Sequence, residues 1–175
     1  TDMSYRQVRA TYSLLSAHNI PPEGGNTEFV DMRAVYDALP AGTKSRLDGL
    51  VAEHCYWHSR KLGGGPDPTD AERASRPPSR HDLVLTCPGS GRQSLYIASH
   101  ISGIVGWRAD DARALLDELM AFATQPQFIY SHEWRLGDVV IWDNLATIHR
   151  ATSFDDTRFQ RDMRRTTCRE QPVHS

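Results

Sequence analysis

An apolar run, Asp138-Val139-Val140-Ile141-Trp142, breaks at Asp143-Asn144 and leads to a lone histidine, His149, and Arg161-Asp162-Met163-Arg164-Arg165 follows shortly after. The first part reads as a strand, a polar turn and a second strand that presents one imidazole. In the second part, an extended chain puts Arg161, Met163, Arg165 and Thr167 on one face and Asp162, Arg164 and Thr166 on the other. Whichever face looks inward carries a guanidinium with it, and buried charge needs an anionic partner. Met163 favours the odd-numbered face as the inner one. Arg161 and Arg165 would then stand roughly 13 Å apart at ~3.3 Å per residue, far enough to hold two different anions. A solvated strand with salt-bridging arginines fits the same spacing, and the His149 context favours a site.

The remaining strands are short. Thr11 to Ala17 mixes apolar and β-branched residues and stops at Pro21-Pro22-Glu23-Gly24-Gly25. A strand over Thr27 to Val30 leads to Asp31, an N-cap for a helix bearing Met32, Val35, Tyr36 and Leu39, which Pro40 ends. A second helix is expected from Gly42 to Leu50, and a strand from Val51 to His58. From Arg60 to Arg80 the pattern dissolves into three glycines, four prolines and many charges, which predicts a loop or flap. Leu83-Val84-Leu85 and Ser94 to Ala98 flank Pro88-Gly89-Ser90-Gly91 as a hairpin. The helix after Trp107 has Asp110 and Asp111 at its start and an apolar stripe of Leu115, Leu116, Leu119, Met120 and Ala123. Gln127 to His132 and Asp138 to Trp142 are strands separated by a Gly137 turn, and Thr1 to Tyr5 reads like the middle of another strand. This pattern is mainly β with inserted helices (α+β), a sandwich or barrel with helical decoration.

The 175 residues suit one domain, with a flexible lid or loop at 60–80. Twenty Lys and Arg against 22 Asp and Glu, with no basic run, point away from nucleic acid and membrane surfaces as partners. Cys55, Cys87 and Cys168 are widely spaced and odd in number, which reads as free thiols in a reducing cytoplasm. No apolar run approaches the ~20 residues of a membrane span, and the first residues have no signal-peptide pattern. His54, His58 and His100 read as packing or surface residues, with His100 a candidate for the substrate pocket wall. Tyr5, Trp107 and Trp142 read as core aromatics that could also wall a pocket. Association into a homo-oligomer is left open.

Thr1-Asp2, the turn from Pro21 to Phe29, Gly91-Arg92-Gln93-Ser94-Leu95-Tyr96, Gly137 to His149 and Arg161 to Arg165 resemble the taurine dioxygenase and 2,4-dichlorophenoxyacetate dioxygenase family. Asp31-Met32-Arg33, Tyr36-Asp37-Ala38-Leu39 and Arg161 to Arg165 are most similar to its phenoxyacetate branch. The resemblance implies a double-stranded β-helix, or jelly-roll, barrel that here is N-terminally incomplete. It also implies an enzyme dependent on Fe(II) and on 2-oxoglutarate as cosubstrate.

The family holds iron with a His-x-Asp pair and a distant histidine, a facial triad that leaves positions open for chelating cosubstrate and oxygen. Asp2 matches the aspartate and His149 the distant histidine; the first histidine would immediately precede Thr1, which makes the activity of this stretch alone doubtful. By the same resemblance Thr27 donates a hydroxyl to 2-oxoglutarate, Arg161 forks onto its distal carboxylate, and Arg165 receives the substrate's anion. The family's phenoxyacetate members tend to carry a histidine where Cys87 stands. The implied reaction hydroxylates a small carboxylate, an aryloxyalkanoate foremost, while 2-oxoglutarate yields succinate and CO2; beside an ether oxygen this gives a hemiacetal that collapses to a phenol and an oxo acid. A taurine or alkylsulfonate dioxygenase is the alternative within this chemistry, and a non-catalytic barrel that binds a small acid or a partner is the alternative outside it.

Overall fold

The computed structural model describes residues 1–170. Strand β1 (Ala10–Asn19) pairs antiparallel with β11 (Asp162–Arg169) on one side and β9 (Val139–Asp143) on the other. Strand β2 (Thr27–Asp31) lies between β10 (Thr147–Ala151) and β8 (Ile129–His132), also antiparallel. A third sheet has β3 (Val51–His54) between β4 (Ser79–Asp82) and β7 (Ile101–Ile104), and β5 (Val84–Thr86) forms a hairpin with β6 (Gln93–Leu95). Mainly β with helices is therefore correct, whereas these four sheets do not close into a barrel among the described residues.

Asp31 ends β2 and caps α1 (Met32–Ala38), its carboxylate accepting the Arg33 amide at 2.9 Å. Pro40 ends that helix and opens α2 (Ala41–Leu47), which stops short of the expected Leu50. Helix α5 (Ala109–Ala123) buries Ala112, Leu115, Leu119 and Ala123, spaced at three and four residues along one face. That face joins Val30, Met32, Val35, Leu83, Leu95, Ile97, Ile101 and Ile104 in the main core. Gly137, at φ +88°, makes the turn between β8 and β9 that side-chain-bearing residues resist. Within the described residues no helix is long and apolar enough to cross a membrane.

Three local expectations are corrected. The strand from Val51 ends at His54, and Tyr56 to Leu62 forms α3 instead. The backbone turns there because the Cys55 amide bonds to the His100 carbonyl at 2.7 Å and the Tyr56 ring packs on Tyr5 at 5.0 Å. The segment 60–80 is not structureless: α4 (Asp70–Ser75) sits in it, started by a capping box in which Thr69 and Glu72 each satisfy the other's backbone amide. Residues 1–5 form a turn rather than a strand. Arg6 N bonds to the Met3 carbonyl at 3.0 Å, and Met3 takes φ +54°, incompatible with extended chain.

Candidate active site

The turn at residues 1–5 brings Asp2 against β10. Asp2 Oδ1 lies 3.7 Å from His149 Nε2, and both side chains are largely buried. The Asp2 carboxylate is held from behind: Ser13 Oγ donates to Oδ2 at 2.6 Å, and Asn144 Nδ2 donates to Ser13 Oγ at 2.8 Å. Asn144 Oδ1 in turn accepts the Asp2 amide at 2.8 Å and Trp142 Nε1 at 3.0 Å. Fully buried, Asn144 thus fixes backbone and side chain of Asp2 together. Asn144 is positioned by the turn between β9 and β10, where its own amide bonds to Thr11 O at 2.7 Å.

His149 stands opposite Phe29 in the β10–β2 ladder, its ring 4.7 Å from Trp142 and 6.0 Å from Phe29. Burial pushes its pKa down to about 4, assisted by neighbouring positive charge including Arg165 and opposed by Asp2. The imidazole is therefore neutral near pH 7, the form that can ligate a metal. One carboxylate and one neutral imidazole on facing elements fit a divalent cation as two of its ligands. Among the described residues no group of three or more His, Cys, Asp or Glu forms such a cluster.

Thr27 lies two residues before Phe29 on the same face of β2, diagonal to His149, at a separation of about 7–8 Å typical of such neighbours. Its buried Oγ1 accepts from Trp134 Nε1 at 3.0 Å and from Arg161 Nη2 at 3.4 Å, which leaves the hydroxyl proton free to donate onward. Arg161 Nε donates to the Gly25 carbonyl at 3.0 Å. Burial alone lowers the Arg161 pKa, with no carboxylate acting to raise it. A partly buried guanidinium held by two neutral oxygens is a receptor for an anion.

Arg165 points to the same side of β11 as Arg161 and Met163, and its Nη1 donates to Asp2 Oδ1 at 3.0 Å. The odd-numbered face is thus the inner one, and the two arginines serve separate places. A cavity of about 490 Å³ borders Asp2 and His149, walled by Val30, Ile129, Ile148 and Met120, with His100 on its rim. Thr27, Arg161 and Arg165 lie outside its lining. His100 is pushed down to about 4, chiefly by burial, and its Nδ1 is 3.2 Å from Ser4 Oγ. Cys87 is buried, in contact range of neither Asp2 nor His149 by any hydrogen bond, and burial pushes its thiol pKa up.

Sequence reasoning missed Ser13, Asn144 and Trp134. A serine among the apolar residues of β1 and an asparagine in the short turn between two apolar strands are the available signals, since buried polar side chains need partners.

The family model for taurine catabolism dioxygenase TauD, TfdA family, matches residues 1–167. The chain belongs to the TauD/TfdA family. Its relatives include the alpha-ketoglutarate-dependent 2,4-dichlorophenoxyacetate dioxygenase of Cupriavidus pinatubonensis, 46% identical over 173 residues, covering 99% of this chain and 60% of that relative. The (S)-phenoxypropionate/alpha-ketoglutarate-dioxygenase of Sphingobium herbicidovorans is 39% identical over 163 residues, covering 90% of this chain and 57% of the relative. Among solved structures, that of AAD-2 in complex with Mn(II) and N-oxalylglycine superposes with a TM-score of 0.92 at 45% identity, over 96% of this chain and 66% of AAD-2. This TauD/TfdA member therefore spans about three fifths of the length of the curated relatives it matches.

Proposed function

We propose that this chain carries the active-site part of an Fe(II)- and 2-oxoglutarate-dependent dioxygenase that hydroxylates a small carboxylate, foremost an aryloxyalkanoate, with release of succinate and CO2. The observation that carries this reading is Arg161, without a carboxylate partner among the described residues, beside the Thr27 hydroxyl whose proton is uncommitted, on the sheet face that also presents His149 to Asp2. The AAD-2 complex supports it, because a metal and an oxalyl-glycine acid occupy a protein of the same fold at 45% identity. The two phenoxyacid-specific relatives favour the aryloxyalkanoate substrate.

Bound iron would supply the oxidising power, drawing on oxygen and 2-oxoglutarate. Asp2 and His149 would hold the ion, with Ser13 and Asn144 fixing the carboxylate's direction. Arg161 receives the distal carboxylate of 2-oxoglutarate in a bidentate fork and Thr27 donates its hydroxyl to the same acid. Arg165 gives up Asp2 to bind the substrate's carboxylate. The two antiparallel sheets around β1 and β2 belong to a double-stranded β-helix. Helices α3 and α4 with their connection form the lid that excludes water over the site. The three free cysteines suit a reducing cytoplasm.

A sulfonate substrate such as taurine is the second reading, since the matching family model bears that name and a guanidinium accepts either anion. Oxygen consumption and succinate release, measured with Fe(II), 2-oxoglutarate and a panel of phenoxyacetates and alkylsulfonates, separate the two. Turnover by phenoxyacetates that vanishes in Asp2→Ala and His149→Ala supports the first reading. Absence of any substrate-triggered succinate would leave a binding protein and refute the proposal.

A further inference from the structure

The turn that carries Asp2 is pinned at both ends. Asn144 holds its beginning through the Asp2 amide. Its far end meets β4, where His81 Nε2 lies 2.9 Å from the Ser4 carbonyl and 3.1 Å from the Arg6 carbonyl. Carbonyl oxygens only accept, so Nε2 carries the proton and donates to both. Ser79 Oγ donates to the same Ser4 carbonyl at 2.8 Å. His81, Ser79 and Ser4 are all buried, and the His81 ring is wedged against His54 at 5.2 Å and Tyr96 at 5.6 Å. Between the pinned ends sits Met3, at φ +54°, a conformation that side-chain-bearing residues seldom adopt without outside support. Among the described residues neither His81 nor Ser79 hydrogen-bonds His149 or Arg161.

We propose that His81, aided by Ser79, is a positioning residue for the Asp2 carboxylate: by holding the Ser4 and Arg6 carbonyls it keeps the turn wound and Asp2 facing His149. The inference rests on the metal-binding reading of Asp2 and His149. Ser79 follows α4 by only Arg76, Pro77 and Pro78. The clamp on the Asp2 turn is therefore joined to α4 by a three-residue connection.

The test compares His81→Phe, which keeps an aromatic ring against His54 and Tyr96 but removes the donor, with His81→Gln, which restores an N–H. Cobalt(II) titration followed by its visible absorption band reports the ligand set, amide hydrogen exchange at residues 3–6 reports the turn, and thermal melting reports the fold. His81→Phe is expected to remain folded, to exchange faster at Met3 to Arg6 and to bind cobalt about tenfold more weakly with an altered band. His81→Gln should recover most of both. A folded His81→Phe protein with wild-type cobalt affinity, band and exchange overturns the proposal. If the wild-type protein binds cobalt no better than Asp2→Asn, the metal reading fails instead, and unchanged exchange in His81→Phe then refutes the clamp separately. Should His81→Phe not fold, Ser79→Ala removes one donor to the Ser4 carbonyl and must speed exchange at Met3 to Arg6 and weaken cobalt binding for the proposal to stand.

Discussion

Nη1 of Arg165 lies 3.0 Å from Oδ1 of Asp2, the same oxygen that faces His149 Nε2 at 3.7 Å. One carboxylate oxygen thus faces an arginine and, on the proposed metal reading, is also the ligand of a cation shared with His149. A metal that takes charge from Asp2 frees Arg165 for a substrate anion, and a substrate anion that draws Arg165 away frees Asp2 for metal; such coupling is reciprocal. The Arg165 side chain is 53% exposed, so the ion pair is worth no more than about 1 kcal/mol. Arg165→Gln is therefore expected to tighten manganese(II) binding, by up to roughly fivefold for that energy. The same substitution should weaken phenoxyacetate binding tenfold or more, since a hydrogen bond to a charged group is worth about 1.5–3 kcal/mol. Manganese titration by electron paramagnetic resonance, with and without phenoxyacetate, reads both effects; looser manganese binding in the variant would disprove the exchange of partners.

Arg161 and Gly25 make a second test. Arg161 Nε is aimed by the Gly25 carbonyl, and Gly25 has φ +67° with no room for a Cβ, which would meet Pro21 Cγ at 2.9 Å and Arg161 Cδ at 3.3 Å. Gly25→Ala should displace the guanidinium without removing it. The expected outcome is a rise in KM for 2-oxoglutarate, with the phenoxyacetate KM little changed. Arg161→Lys should raise the 2-oxoglutarate KM by about ten- to a hundredfold, because an ammonium cannot reproduce the bidentate fork. Steady-state succinate release at saturating phenoxyacetate measures both, and unchanged KM values would remove Arg161 from the cosubstrate site.

How much of this was legible varied with how local the cause was. The β1, β2, α1 and α5 segments follow from apolar spacing and from Asp31, Pro40, Asp110 and Asp111, all signals contained within a few residues. The inner face of β11 was readable for the same reason, since Met163 marks it. The capping box Thr69-Asp70-Ala71-Glu72 was also in plain view, yet the surrounding prolines and glycines hid it. Helix α3 was not legible: Tyr56 and Trp57 favour strands locally, and the partners that override this, Tyr5 and the Glu72 carbonyl that accepts Trp57 Nε1 at 3.2 Å, are distant in sequence. Asp2 and Thr27 stand out only through family resemblance, whereas His149 and Arg161 are visible in the local pattern and take only their specific roles from it. The shell that holds Asp2 in place, Ser13 on β1, Asn144 in the β9–β10 turn and Ser79 and His81 on β4, comes from three separate segments and needs the fold to be seen.

Asn144 concentrates that shell. Replacing it with alanine leaves the Asp2 amide, Trp142 Nε1 and Ser13 Oγ short of partners in a dry environment, at about 1–3 kcal/mol for each group left unsatisfied. Partial relaxation and added water make a total near 3 kcal/mol the expected loss. Urea unfolding should show a lower midpoint at unchanged slope. Asn144→Asp is expected to be worse for metal binding than for stability, because a second carboxylate could compete for the ion while its lost amide no longer orients Ser13. An unfolding free energy within about 0.5 kcal/mol of wild type, roughly the limit for an ordinary surface change, would show that Asn144 is not holding the turn.

His54 offers the opposite outcome, a gain in stability on substitution. Its side chain is fully buried, neither ring nitrogen has a hydrogen-bond partner among the described residues, and burial holds its pKa at about 3, with His81 and His100 adding to the depression. Unfolded, the same ring titrates near 6.5, so between these values the unfolded chain binds a proton that the folded chain refuses. Stability contributed by the neutral ring is full above about pH 6.5 and is lost as pH falls toward 3. His100 and His149, each pushed down to about 4, act in the same direction, and their losses are complete by about that pH. His54→Leu removes an unsatisfied polar ring while filling most of its volume, a change that can be neutral or stabilising. At pH 7.5 its melting temperature is expected to equal or exceed that of wild type, and the gap should widen at pH 5, where wild type must protonate His54 on unfolding and the variant has nothing there to protonate. Differential scanning calorimetry across pH 4.5–7.5 checks the sign, and a gap that narrows toward acid would show that His54 is not buried in its neutral form.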